Sequence, residues 1–148
     1  MKKVIFFSFL IITLFTVSCT QSGSAETLDY DAFIELLAKN GFQYSEENPD
    51  TEYNFLSVAR RPIFIGDDIV SIYEYVSIEA MEADSLYIDK SGFSIRSENG
   101  GTEISWVSNP YFFKRGTLII NYVGENEKII EFLFNNFGTP FAGYGVNS

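Results

Sequence analysis

The sequence predicts an α+β fold: a mainly antiparallel sheet of about four to five strands with helices packed on one face, in the order α-β-β-α-β-β-β-α. Three observations carry this expectation. Leu28–Asn40 and Glu127–Phe137 repeat apolar residues at helical spacing. Gly/Asp/Asn turns separate two pairs of β-rich runs, and such hairpins join antiparallel neighbours. Leu118–Val123 is almost wholly apolar, as a central strand is.

In the first helix, Tyr30, Phe33, Ile34 and Leu37 fall on one face. Thr27 or Asp29 can cap its start, and Gly41 ends it. A polar, acidic loop with Pro49 follows. Tyr53–Val58 has strand character, Arg60-Arg61-Pro62 interrupts it, and Ile63–Ile65 resumes it. Gly66-Asp67-Asp68 reads as a three-residue hairpin loop into Ile69–Val76, where Val70 and Ile72 alternate with Ser71, Tyr73 and Tyr75. Ser77 opens a short helix from Ile78 to about Ile88, with Ala80 and Ala83 small enough to pack closely on a sheet. Phe93–Ser97 and Thr102–Val107 form a second hairpin around Glu98-Asn99-Gly100-Gly101. Asn109-Pro110 breaks that second strand before Leu118–Val123. The last helix turns Ile129, Ile130, Leu133 and Phe137 to the core and stops at Gly138 and Pro140.

The start of the chain is an export signal. Lys2 and Lys3 precede a 14-residue, mostly apolar run from Val4 to Val17, too short for a membrane span of about 20 residues. Thr16-Val17-Ser18-Cys19 resembles the lipobox of bacterial lipoproteins, whose Cys receives a diacylglyceryl thioether and becomes the first residue of the mature protein. The competing site is an ordinary signal-peptidase cut after Gly23-Ser24-Ala25. Cys19 is the single cysteine, so it has no disulfide partner in its own chain, and a free thiol suits an exported protein poorly. Residues 1–18 are therefore read as signal peptide, 19–27 as lipidated Cys and flexible tether, and 28–148 as one domain. The expected location is the extracytoplasmic face of a bacterial cell membrane.

Composition narrows the chemistry. Cleavage before Cys19 takes the net charge from −10 to −12, so nucleic acid is not an expected partner. The chain has no His, the commonest metal ligand and neutral-pH acid–base group. With Cys19 lipidated, zinc sites and Ser-His-Asp or Cys-His catalysis are excluded, and no cofactor is expected. The acid clusters at Glu46–Asp50 and Gly66–Asp68 lack calcium-loop spacing and read as solvated turn charge.

From Tyr73 onward the chain resembles a group of small bacterial lipoproteins and secreted proteins without an assigned activity. The residues that carry the resemblance are Tyr73-Glu74-Tyr75, Ser91–Ile95, Ile104–Val107, Pro110, Phe112, Lys114, Gly116, Leu118-Ile119, Tyr122–Gly124, Phe137-Gly138 and Phe141–Gly143. Several members of the group carry His where this chain has Tyr111 and Asp where it has Ser91. The resemblance implies architecture and export, and no chemistry.

Asn109–Gly116 is more aromatic than a connection needs. Adjacent strand residues point to opposite faces, so three consecutive rings cannot all face one core. At least one of Tyr111, Phe112 and Phe113 is expected to stay exposed beside Lys114 and Arg115, as an interaction patch for a partner or the headgroup zone. The first functional expectation is a non-enzymatic, membrane-tethered interaction module, with an envelope protein as candidate partner. The second is an extracytoplasmic receptor for a small apolar or aromatic ligand. An Asp/Glu hydrolase ranks last. Exposed rings would favour the first, and a cavity of about 300 Å³ or more between sheet and helices the second.

Overall fold

Local chemistry starts each helix. In α1 (Tyr30–Lys39) the Asp29 carboxylate accepts from the Ala32 N–H at 2.9 Å. Ser77 caps α2 (Ile78–Ser85) through the Ala80 N–H, and Asn126 caps α3 (Glu127–Phe137) through the Lys128 N–H. Each satisfies an N–H that the first helical turn leaves without an intrahelical partner. The computed structural model describes residues 28–51, 54–97 and 100–146. Thr27, the other candidate cap, lies outside the described residues, as do Cys19 and the expected signal peptide and tether.

Eight strands accompany the three helices among the described residues: β1 (Ser45–Glu46), β2 (Arg60–Ile65), β3 (Asp68–Glu74), β4 (Ser94–Ser97), β5 (Gly100–Glu103), β6 (Pro110–Arg115), β7 (Leu118–Val123) and β8 (Ala142–Gly143). Six form one antiparallel sheet in the order β1-β2-β3-β7-β6-β8, and β4-β5 is a separate hairpin. The α+β class and the antiparallel sheet stand. The count and order change, because 110–115 is a strand and not a connection, and two short strands close the edges.

Both prolines expected to break strands belong to them, Pro62 inside β2 and Pro110 as the first residue of β6, for one reason. In an antiparallel ladder a residue's N–H and C=O point to the same neighbour. The Pro62 carbonyl accepts from Glu47 N and the Pro110 carbonyl from Tyr144 N, both on the outer side of the sheet. The missing N–H of each ring therefore faces a short edge strand, where a proline is tolerated.

The hairpins β2-β3 and β6-β7 are built alike. Ile65 pairs with Asp68 and Arg115 with Leu118, leaving two-residue turns, so the three-residue loop expected at Gly66 is one residue too long. Gly66 (φ +62°) and Gly116 (φ +61°) lead these turns, as in type II′ geometry.

Helices cover both faces of the sheet, which corrects the one-face expectation. Phe33 and Leu37 of α1 and Ile129, Phe132, Leu133 and Phe137 of α3 pack on Ile63, Val70, Ile72, Phe113, Leu118 and Ile120. On the opposite face Met81 of α2 and Ile95 of β4 pack with Tyr73, Tyr75, Phe112 and Ile119. The sheet is thus the middle of three layers, and its central strands are apolar on both sides.

Candidate functional site

Three-layer packing removes the expected aromatic patch. Tyr111, Phe112 and Phe113 are all buried, so the expectation of an exposed ring is overturned. The parity argument was sound, but its premise of a single core was not. Tyr111 and Phe113 enter the α1/α3 core, whereas Phe112 enters the α2 core. The two bases also have local work. Lys114 pairs with Glu82, donates to the Ser85 hydroxyl at 3.0 Å and lies 5.1 Å from the Phe141 ring centroid. Arg115 donates to the Asn136 carbonyl near the C-terminal end of α3.

The α2 face of the sheet is only partly covered, and there the structure forms a cleft of about 570 Å³. Along β3, alternation places Ile69, Ser71 and Tyr73 on that face, and Asn121 and Val123 of β7 join them. Phe55 and the irregular segment Ile104–Val107 form its wall. Arg60 lies in the lining, and so do Asp67 and Asp68 of the β2-β3 turn. Other sizeable cavities among the described residues are lined more by charged and amide side chains, such as Glu46, Glu47, Asn48 and Arg61 beside Tyr30.

The wall is braced. Trp106 donates its indole N–H to the Gly92 carbonyl at 2.7 Å. Its ring meets Phe55 edge-on at 5.8 Å and Phe112 at 6.0 Å. Gly92 (φ +74°) is tightly enclosed, since a Cβ there would lie 3.0 Å from Gly143 Cα. The Phe55 side of the wall hangs from Asp84, a buried carboxylate of α2. One of its oxygens accepts from the Ser57 N–H (2.9 Å), the Ser57 hydroxyl (3.0 Å) and the Tyr75 hydroxyl (2.6 Å). Burial first, and then this bond to Asp84, pushes the Tyr75 phenol far above its ordinary range.

The floor is polar where the rest of the sheet is apolar. Ser71 and Asn121 pair in register across β3 and β7 and are 7% and 6% exposed. The Asn121 amide reaches the Tyr111 carbonyl only at 3.4 Å. Among the described residues, none hydrogen-bonds the Ser71 hydroxyl or the phenol of Tyr73, which is 1% exposed. Burial raises the Tyr73 phenol well above its ordinary value, an effect that the nearby Arg60 charge partly offsets. Arg60 itself faces Asp50 at 3.5 Å. Asp68 is engaged by the Tyr122 hydroxyl (2.7 Å) and the Asn126 amide (2.8 Å).

The cleft thus combines aromatic walls, a neutral hydrogen-bonding floor, and charged groups at Arg60, Asp67 and Asp68. None of these floor residues stood out in the sequence. The available signal was Asn121, a lone amide inside the apolar run Leu118–Val123. Comparison with known proteins finds no matching family model, no matching curated protein and no matching solved structure.

Proposed function

We propose that the chain is a non-enzymatic, extracytoplasmic binding module, tethered to the membrane through Cys19, whose cleft receives a small apolar or aromatic ligand. The observation that supports the cleft is its composition: about 570 Å³, walled by Phe55 and Trp106, with a buried Ser71–Asn121 pair on its floor. Ligand sites are typically concave and mostly apolar with a few convergent polar groups. The burial of Tyr111, Phe112 and Phe113 takes away the exposed rings on which the protein-docking alternative stood. Against catalysis, the acids near the cleft are either engaged, as Asp68 is, or at the exposed turn, as Asp67 is.

The single tryptophan supplies the test, since Trp106 forms part of the wall. Titration of the full chain with small ring compounds should change Trp106 emission saturably. Ser71→Leu, which fills the floor, should abolish that change while leaving the melting temperature close to wild type. An emission that does not respond, or responds equally in the variant, would remove the cleft from consideration.

A further inference from the structure

Resting on the ligand-cleft reading above, we infer that the occupant is an uncharged planar ring bearing a carboxamide-like edge, one N–H donor beside one C=O acceptor. A hydrocarbon does not fit this floor. Ser71, Tyr73 and Asn121 are each more than nine-tenths buried, line the cleft, and keep hydrogen-bonding capacity that the described residues do not fill. A hydroxyl can donate and accept, and the Asn121 amide, with its N–H₂ turned toward the Tyr111 carbonyl, offers its oxygen as acceptor. The floor thus asks for both a donor and an acceptor. A purely apolar ligand would strip these groups of water and give nothing back, a cost that falls directly on its affinity.

Charge decides against ionic ligands. The formal charges in the lining are two acids, Asp67 and Asp68, against one base, Arg60, which already faces Asp50. A carboxylate would enter a site of surplus negative charge in a chain of net charge −10. A ring cation would meet that surplus only at the rim, because Asp67 belongs to the exposed turn and Asp68 alternates to the other face of the sheet, where the Tyr122 hydroxyl and the Asn126 amide donate to it. The Tyr73 phenol stays neutral at physiological pH, held protonated by its burial. Planarity follows from the lining: Phe55, Trp106 and Tyr73 put three aromatic rings around the cleft, and aromatic surfaces favour a ring over a branched chain.

The experiment compares four fragments on the isotope-labelled full chain: benzamide, toluene, benzoate and benzylamine. Binding is read from saturable amide shifts at Ser71, Tyr73 and Asn121. Benzamide should bind roughly 30-fold tighter than toluene, the worth of two net hydrogen bonds, and tighter than either charged fragment. Ser71→Ala should erase about fivefold of that preference without lowering the melting temperature, because its hydroxyl serves no protein partner. Tyr73→Phe provides a second variant with the same expectation. Equal affinity for toluene and benzamide would overturn the polar-edge inference and leave the cleft reading standing. Tightest binding of benzoate or benzylamine would overturn the uncharged class. Shifts from none of the four would overturn this inference and the cleft reading together.

Discussion

Gly66 and Gly116 form a natural experiment on how the start of the domain is held. Both lead two-residue hairpin turns, with φ +62° and +61°. Only their surroundings differ. A Cβ on Gly66 would meet nothing within 4 Å, whereas one on Gly116 would lie 2.2 Å from the Leu28 carbonyl oxygen and 2.7 Å from its nitrogen. Replacing either glycine by Ala forces an L-residue into a strained backbone region at about 1–3 kcal/mol. At Gly66 that is the whole effect. At Gly116 the Leu28 backbone must also withdraw by roughly an ångström, since real Cβ contacts stay beyond about 3 Å. The withdrawal breaks the Thr117 N–H bond to the Leu28 carbonyl (3.0 Å), about 1 kcal/mol net. It also loosens the Leu28 side chain, which is 8% exposed and whose full burial contributes about 1.5–3 kcal/mol. Gly116→Ala should therefore cost about 2–4 kcal/mol more than Gly66→Ala, a large part of a typical domain's stability of about 5–15 kcal/mol. Urea unfolding of the full chain, followed by circular dichroism, measures the difference between two variants that share the same backbone strain. Coincident midpoints would show that Leu28 does not lie over the β6-β7 turn, and the reasoning would fail.

Other outcomes follow from single features. Phe137 is buried and packs on Phe33 at 5.7 Å, Phe132 at 6.3 Å and Phe113 at 6.5 Å, so Phe137→Ala should cost about 3–5 kcal/mol; an unchanged melting curve would mean that α3 is not docked. Cys19→Ser should abolish metabolic incorporation of labelled fatty acid, and equal label in wild type and variant would refute lipidation at this residue. Burial is the leading cause that raises the phenols of Tyr30, Tyr73, Tyr75 and Tyr122 above their ordinary value of 10.0. The unfolded chain releases these protons first, so their contribution is complete below pH 10.0 and is lost as pH rises from there toward the folded values. The urea midpoint should thus fall between about pH 9 and about pH 11.5, together with the appearance of tyrosinate absorbance; a constant midpoint across that range would count against phenol burial.

What could be read from the sequence was what depends on neighbours along the chain. Asp29, Ser77 and the turn glycines announce themselves because a cap or a positive φ is a property of a few adjacent residues. The second face of the sheet is not such a property. Alternation along a strand separates two faces but does not say whether water or protein covers each. Tyr111-Phe112-Phe113 was therefore read against one core and assigned a spare ring, although an unbroken apolar run is also how a strand covered on both faces looks. The same rule had already been applied correctly to Leu118–Val123, its partner in the sheet. Pro62 and Pro110 misled in a related way, because the side on which a missing N–H falls is decided by the ladder and not by the residue. The cleft lay furthest from view. Phe55, Ser71, Trp106 and Asn121 come from four separate segments, and each has an ordinary explanation alone: a core ring, a strand serine, a core indole, a stray amide. Their meaning appears only when registration sets Ser71 beside Asn121 and the Trp106–Gly92 bond holds an aromatic wall in the same cleft. An amide in the middle of an apolar central strand is costly to bury without return. Asn121 is therefore the one position whose type was already improbable for its place in the chain.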